Sequence, residues 1–362
     1  MLDALTPSTP DGALPGFSSR ALLRRAALPA ALVAAAATAL IVAGAPVRPF
    51  AEAAGRVLAA DARWLVVAAV LETLSFAGYI ALLWLVGSRA TPRMNLVASA
   101  EVTLGGAAAT RLLPTGGAGG AALTLWALRR TGVGNPQAGR ALLTFLVLLY
   151  AVFLGAIALT GGALALGVAA GHGPLTLTAV PAAAAVVAIA VALVLARTRH
   201  ALGAAVRHAL RLLRSGDARL LGAVAWWAFD AAVLWAMLHA LGAPPAPAVV
   251  VLAYLVGQVA NTLPLPGAVS GGMVGLLLAF GVEADLAVAA VLAYRAVAIW
   301  LPAPFGLLAL ARLRGTTGRW RAEDAAVAGT TSSDRRRERG GLASEHDRRR
   351  PAAPRVRQLV RP

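Results

Sequence analysis

Long apolar stretches separated by short polar loops dominate this chain. A helix needs roughly 20 mostly apolar residues to cross a bilayer, and the stretches that reach this length are 26–46, 64–87, 139–162, 175–197, 220–241 and 286–311. The pattern therefore predicts an all-α fold, a polytopic bundle of about six membrane-spanning helices.

Two further apolar regions, 95–133 and 248–282, are interrupted. Each has a helix-length piece, a Leu-Pro pair, a Gly-rich stretch and a second apolar piece too short to span. Proline and clustered glycine break a helix, and irregular backbone is tolerated at membrane depth only where protein buries it or it lines a wet cavity. The two regions are therefore predicted to form re-entrant helical hairpins.

Arginines separate the loops into two classes. They precede the first span, follow the second, precede the third, lie between the fourth and fifth, and follow the last, whereas the loops near 163–174 and 242–247 carry no charge. Because cytoplasmic loops are enriched in Arg, both termini are expected in the cytoplasm of a bacterial cell, with the chain in its cytoplasmic (inner) membrane. The hairpins then enter from opposite faces, as in an inverted repeat.

The amino-acid composition excludes several kinds of chemistry and binding partner. The net charge of +17 lies in loops and in the last residues, which favours a membrane topology signal over nucleic-acid binding. No cysteine or lysine is present, which excludes disulfides, lysine Schiff bases and a P-loop lysine. The five histidines lack metal spacing, so no metal and no cofactor are expected, and ATP hydrolysis is not expected either.

Three regions are predicted along the chain: a disordered N-terminal tail over 1–20, the integral membrane domain over 21–314, and a disordered, Arg-rich cytoplasmic tail over 315–362, which is low in large apolar residues. The stretch 26–46 fits an uncleaved span better than a signal peptide because its apolar run is long. Residues 198–219 fit an amphipathic helix on anionic headgroups or a solvated linker equally well.

Ionisable residues at membrane depth are costly and mark functional candidates. Those here are Glu72, Glu101, Arg111, Asp230 and Arg295. Arg295 could reach a headgroup phosphate and needs a carboxylate partner, for which Asp230 or Glu101 could serve. A purely structural Arg–carboxylate pair is the alternative.

A site for a lipid headgroup is predicted from the two breaks and the last span. Its residues are Arg111, Pro114, Gly116, Gly117, Gln258, Asn261, Pro264, Pro266, Gly267, Ser270 and Arg295, with Glu72, Glu101 and Asp230 as charge partners. Helix N-termini after each Gly-rich turn would favour phosphate. Gln258 and Asn261 fit helix–helix hydrogen bonding equally well, and Ser270 and Thr115 fit simple N-caps.

The motifs resemble one family. LLPTGGAGG followed by LRRTGV, then TLPLPGAVSGG followed by FGV, and a late Tyr294-Arg295 with Trp300 and Pro302, are similar to the flippase-like membrane domain of lysylphosphatidylglycerol synthases over roughly 20–314. The second motif departs from the family's tighter Pro-Gly-Gly pattern, so the ligand preference is expected to differ. Members that are synthases add a soluble aminoacyltransferase domain, for which no room is expected after 314.

The resemblance implies handling of membrane lipids, anionic ones above all. The leading hypothesis is a flippase-like transporter of a phospholipid or polyprenyl-linked lipid intermediate. The alternatives are a membrane-embedded lipid-modifying transferase, with Glu101 as the candidate base, and a scaffold for a separate soluble or membrane synthase. Enzymatic activity is the less favoured reading because no catalytic grouping is present.

Overall fold

The computed structural model describes residues 60–112, 118–171, 173–260 and 267–348, with 111, 112, 118 and 327–348 described in their backbone only. The helices of this part are α1 (Ala62–Ala90), α2 (Leu96–Leu112), α3 (Ala118–Arg130), α4 (Asn135–Ala165), α5 (Leu175–Leu195), α6 (Ala201–Arg214), α7 (Leu221–Leu241), α8 (Pro247–Val259), α9 (Ala268–Ala279), α10 (Ala284–Trp300) and α11 (Ala303–Arg348). A short 3₁₀ turn, Ala218–Leu220, leads into α7. No strand occurs in these ranges, so the all-α membrane bundle is confirmed.

Five segments are long and apolar enough to cross a membrane. Four of them, α1, α4, α5 and the 3₁₀ turn with α7, match the stretches predicted at 64–87, 139–162, 175–197 and 220–241. The stretch predicted at 26–46 lies outside the described residues. The fifth segment, Ala284–Ala326, contains the last predicted span.

The last span is present, but its helix is interrupted. The sequence predicts one helix over 286–311, whereas α10 ends at Trp300 and α11 begins at Ala303. Pro302 lies in the gap and has no N–H for a helical hydrogen bond, which explains the interruption. Just beyond it, Gly306 lies against α2, where a Cβ would be 2.8 Å from the Leu104 carbonyl oxygen.

Helix α11 continues into the region whose composition predicts disorder. Its backbone is helical up to Arg348. Alanine, arginine and glutamate, which are frequent here, have high helix propensity, and backbone hydrogen bonds within a helix require no hydrophobic core. Residues 349–362 lie outside the described part of the chain.

Helices α1 and α7 cross in antiparallel directions at two glycines. A Cβ at Gly222 would lie 2.2 Å from the Gly78 carbonyl oxygen, so only glycine allows this approach. Nearby, the Ser75 hydroxyl donates to the Trp226 carbonyl at 2.9 Å. At the far end the Asp61 N–H donates to the Ala240 carbonyl at 3.3 Å. These bonds set the register of the two spans.

Each interrupted region folds into a pair of packed helices, α2 with α3 and α8 with α9. A Cβ at Gly106 would lie 3.3 Å from the Gly120 Cα, and a Cβ at Gly272 would lie 3.2 Å from the Gly257 Cα. A glycine–glycine contact therefore closes each pair. Both breaks themselves, 113–117 and 261–266, lie outside the described residues.

Candidate functional site

A buried carboxylate lies halfway along the α7 span. Asp230 is 3% exposed, twelve residues after Ala218 and eleven before Leu241. At 1.5 Å per residue it is roughly 17 Å from either end, which is close to the middle of an apolar layer about 30 Å thick. A carboxylate there is expensive unless polar groups surround it.

Two tyrosines supply those polar groups. The Tyr254 hydroxyl of α8 donates to Asp230 Oδ2 at 2.5 Å, and the Tyr294 hydroxyl of α10 donates to Oδ1 at 3.2 Å. Both rings are buried and lie edge to face, 6.0 Å apart. Each oxygen of the carboxylate thus accepts from a different helix, and Asp230 ties α7 to α8 and α10.

Gln258 extends this network toward the second break. Its amide Nε2 donates to the Tyr294 hydroxyl at 3.3 Å. Gln258 follows Tyr254 by four residues, which places both on one face of α8. Helix α8 ends at Val259, so this polar face leads directly to the interrupted segment. We call Asp230, Tyr254, Gln258 and Tyr294 the midplane cluster.

The predicted acid Glu72 lies at the same level as Asp230. Glu72 precedes Ser75 by three residues on α1, and Asp230 follows Trp226 by four residues on α7. Because the two helices are antiparallel and the Ser75–Trp226 bond joins them, both acids lie on the same side of that bond and at nearly the same distance from it. Glu72 is 1% exposed. Two buried carboxyl groups therefore occupy the central layer of the bundle, one on each of its crossing spans.

Aromatic rings surround the midplane cluster on the α4 side. The Trp227 ring lies 4.6 Å from the Phe153 ring and 6.3 Å from the Tyr254 ring, and its indole N–H donates to the Leu149 carbonyl at 2.8 Å. These contacts hold α4 against α7 beside Asp230. They keep the cluster in a largely apolar setting.

Arg295 lies at the same depth as Asp230 but does not form an ion pair with it. It follows Tyr294 on α10, and successive helical side chains point about 100° apart, so the tyrosine faces Asp230 and the arginine does not. Within the described residues, neither Asp230 nor Glu101 forms an ion pair with it. Arg295 is partly exposed, which leaves it accessible from outside the core.

The remaining predicted site residues are distributed as follows. Glu101 is buried on α2 at 7% exposure, and the backbone of Arg111 lies in the last turn of that helix. Gly267, with φ of 80°, is the N-cap of α9 in the left-handed region that favours glycine. Ser270 therefore lies inside the first turn and is not the N-cap. The predicted site residues that lie outside the described residues are Pro114, Thr115, Gly116, Gly117, Asn261, Pro264 and Pro266.

Sequence reasoning missed Tyr254 and Tyr294 as site residues. In a sequence, a tyrosine within an apolar helix is usually interpreted as an aromatic core residue. The i to i+4 spacing of Tyr254 and Gln258 was the available signal, since it places two polar groups on one face of an otherwise apolar helix. The glycine contacts were missed as well, because close approach depends on how helices cross.

The arginine-rich end of α1 carries a separate charged group. Asp217 accepts from Arg219 Nε at 3.0 Å and Nη2 at 2.7 Å, and Arg219 lies over the Trp84 ring at 4.6 Å. The hydrogen bonds from the Arg219 side chain, together with one from its backbone N–H, lower the pKa of Asp217 to about 2. This group fixes the loop before α7 against the end of α1.

The cluster offers carboxylate, hydroxyl and amide groups to a polar ligand at mid-depth. No set of three metal-ligating side chains occurs in the described ranges. Comparison with known proteins adds a family. The family model described as "Lysylphosphatidylglycerol synthase TM region" matches residues 27–306. No curated protein matches the chain.

Proposed function

Because the chain belongs to the family of lysylphosphatidylglycerol synthase TM regions, we propose that it is a flippase-like transporter, which moves a phospholipid or polyprenyl-linked lipid intermediate across the bilayer. Membership supports a role in the chemistry of membrane lipids. The proposal that the protein translocates lipid rests on the polar groups at mid-depth and on the relation between the two interrupted regions.

The observation that carries the proposal is the midplane cluster beside an interrupted helix. Asp230, Tyr294 and Gln258 form a continuous hydrogen-bonded path at mid-depth that leads to the end of α8, and Tyr254 bonds the other oxygen of Asp230. Polar groups in the centre of a membrane bundle, next to a broken helix, are typical of transporter binding sites. A lipid headgroup that crosses the bilayer needs such partners where water is absent.

The spacing of the two interrupted regions and the crossing of α1 and α7 fit an inverted repeat, which is part of the proposal. Pro264 follows Pro114 by 150 positions, and under this offset Ser75 corresponds to Ala225. Ser75 bonds the carbonyl of Trp226, the next residue, as expected if a pseudo-two-fold axis passes through the antiparallel crossing of α1 and α7. We propose that α1–α4 and α7–α10 are the two repeats and that their hairpins are re-entrant from opposite faces.

Arg295 is the proposed contact for the phosphate of the headgroup. It lies at the level of the midplane cluster, it is accessible, and it forms no ion pair with the described residues. An anionic phosphate would provide the charge partner that a guanidinium at this depth requires. We place the arginine-rich face of the bundle in the cytoplasm of a bacterial inner membrane, in keeping with the distribution of arginines.

A translocation assay in proteoliposomes tests the function. Headgroup-labelled fluorescent phosphatidylglycerol is incorporated in both leaflets, and dithionite quenching reports how fast the inner pool becomes accessible. The full-length protein is expected to accelerate exchange, and Arg295→Ala is expected to abolish most of the acceleration. Arg312→Ala, which removes an exposed arginine of α11, is the matched control and is expected to behave as wild type.

Other outcomes would redirect the proposal. If Arg295→Ala and Arg312→Ala leave exchange equally fast, Arg295 has no part in the mechanism. If folded protein moves neither phosphatidylglycerol nor a polyprenyl-phosphate, transport is refuted. Product formed by the purified protein alone would favour a transferase, and co-purification with a synthase in the absence of exchange would favour a scaffold.

A further inference from the structure

Helix α6 is amphipathic and lies at the arginine-rich end of the bundle. Ala205, Ala209 and Leu212 are buried and pack toward α4 and α5. The Arg207 guanidinium donates to the carbonyls of Ala196 and Thr198, both at 2.6 Å, which holds α6 back against the end of α5. The rest of its charged arc faces away from this packing.

Four basic side chains from three helices converge at one edge of α6. They are Arg89 from the end of α1, Arg140 from the start of α4, and His208 and Arg211 from α6. Arg211 Nη2 lies 3.4 Å from His208 Nδ1. Burial, followed by the charges of Arg211, Arg140 and Arg89, lowers the pKa of His208. The contacts between the helices agree with this: α4 packs against α6, and the Gln137 amide near the start of α4 donates to the Ala90 carbonyl at the end of α1 at 3.0 Å.

This cluster carries an excess of positive charge. Asp217 is the nearby carboxylate, and it lies 3.8 Å from Arg89. However, Arg219 already holds both oxygens of Asp217. In the described part of the chain, Arg140 and Arg211 form no ion pair. Arginines that surround a histidine without a carboxylate of their own form a site for an anion.

We propose that Arg89, Arg140, His208 and Arg211 bind the phosphate headgroup of an anionic lipid in the leaflet that borders this face. We call these four residues the α6 basic site. Guanidinium groups match the geometry of a phosphate, and several of them at a membrane interface attract anionic lipid additively. The site is separate from Arg295, and the proposal does not depend on translocation.

The apolar side of α6 explains why the anion belongs to a lipid. Leu202 and Leu213 remain exposed, at 39% and 53%, on a helix whose opposite arc is charged. Exposed leucines beside arginines are typical of helices that lie at the boundary between headgroups and acyl chains. A lipid would place its phosphate against the arginines and its acyl chains against the exposed leucines of α6. Free inorganic phosphate would contact the arginines alone.

Binding of phosphate is linked to the protonation of His208. A negative charge beside the imidazole favours the imidazolium and offsets the arginines that disfavour it. The bound lipid therefore raises the pKa of His208, and by linkage the affinity for the lipid rises as the pH falls through the titration range of this histidine. Asp217 and Arg219 border the same edge and keep their charges in that range.

Histidine NMR of the full-length protein in detergent tests the site. The His208 signal is assigned by its loss in His208→Gln, and its pKa is measured with dioctanoyl phosphatidic acid, dioctanoyl phosphatidylcholine or inorganic phosphate. We expect phosphatidic acid to raise the pKa of His208 and the other two to leave it unchanged. Arg140→Ala and Arg211→Ala are each expected to weaken binding of phosphatidic acid by about fivefold.

Arg214→Ala is the matched control. It removes the same charge from an exposed position of the same helix. Arg214 follows His208 by six residues, which places the two side chains about 120° apart around the helix, so a clearly smaller loss of affinity is expected. No change in the pKa of His208 with any ligand would overturn the site. An equal rise with inorganic phosphate would overturn the lipid as its occupant, and equal losses in the Arg140, Arg211 and Arg214 variants would reduce it to unspecific surface charge.

Discussion

The Tyr254 hydroxyl donates to Oδ2 of Asp230 at 2.5 Å in the middle of the bundle. This bond joins α7 to the first helix of the second interrupted pair. It is also the shortest contact within the midplane cluster, so the cluster depends on it more than on the 3.2 Å bond from Tyr294.

Tyr254→Phe is expected to lower the free energy of unfolding by about 1–3 kcal/mol, because it leaves a buried carboxylate oxygen without this donor. Thermal unfolding in detergent measures the loss. Tyr150→Phe on α4 removes the hydroxyl of a tyrosine that is 49% exposed and should leave the midpoint unchanged. Equal midpoints for the two variants would show that the Asp230 bond adds no stability.

Gly222→Ala is expected to force α1 and α7 apart. The new Cβ would lie 2.2 Å from a backbone oxygen, which cannot move away by side-chain rotation, so overpacking of about 1–3 kcal/mol is expected. Thermal unfolding again provides the measurement. Gly155→Ala on α4, where nothing lies within 4 Å of the new Cβ, should be neutral or slightly stabilising. A neutral Gly222→Ala would contradict the close crossing.

Gly257→Ala is expected to slow lipid exchange in the proteoliposome assay. Its Cβ would lie 2.4 Å from Met273 Cγ and 3.0 Å from the Met273 backbone nitrogen, so α8 and α9 must separate beside the midplane cluster. Gly275→Ala lies on α9 with nothing within 4 Å and should exchange lipid like wild type. Unchanged exchange in folded Gly257→Ala would show that the packing of this pair does not govern transport.

Asp217 is expected to make stability depend on pH in the acid range. Because Arg219 lowers its pKa in the folded protein to about 2, while an unfolded aspartate titrates near ~3.9, its contribution is fully present above about pH 4 and is lost as the pH falls toward about 2. The melting temperature measured from pH 5 to pH 2 should fall more steeply in wild type than in Asp217→Asn. Arg219→Ala should reduce the pH dependence of the melting temperature in the same way as Asp217→Asn. A pH dependence equal to that of wild type in either variant would contradict the linkage.

Local patterns account for most of the fold. The apolar runs of α1, α4, α5 and α7 exceed the length that a bilayer requires, and the bounds predicted for them are close to those observed. Proline was harder to interpret. The prolines at 114 and 264 were recognised as breaks because glycines follow them, whereas Pro302 was included in a span, since it is a single proline within an apolar run.

The candidate site was predictable only in part. Asp230, Gln258 and Arg295 were identified because polar side chains at membrane depth are costly. Their connections were not predictable: Asp230 pairs with tyrosines, and Arg295 turns away from it because it follows Tyr294 on the helix. Which side chains meet depends on the rotation of each helix about its axis, and apolar patterns that cover the whole circumference do not specify that rotation.

The sequence by itself therefore determined that this is a helical membrane protein with two interrupted segments, because hydropathy and helix breaking are properties of short stretches of chain. Only the tertiary structure decided that Gly78 meets Gly222, that Tyr254 and Tyr294 enclose Asp230, and that three helices bring arginines to His208. These contacts join residues far apart in the chain. They depend on the packing of helix surfaces, which no local pattern encodes.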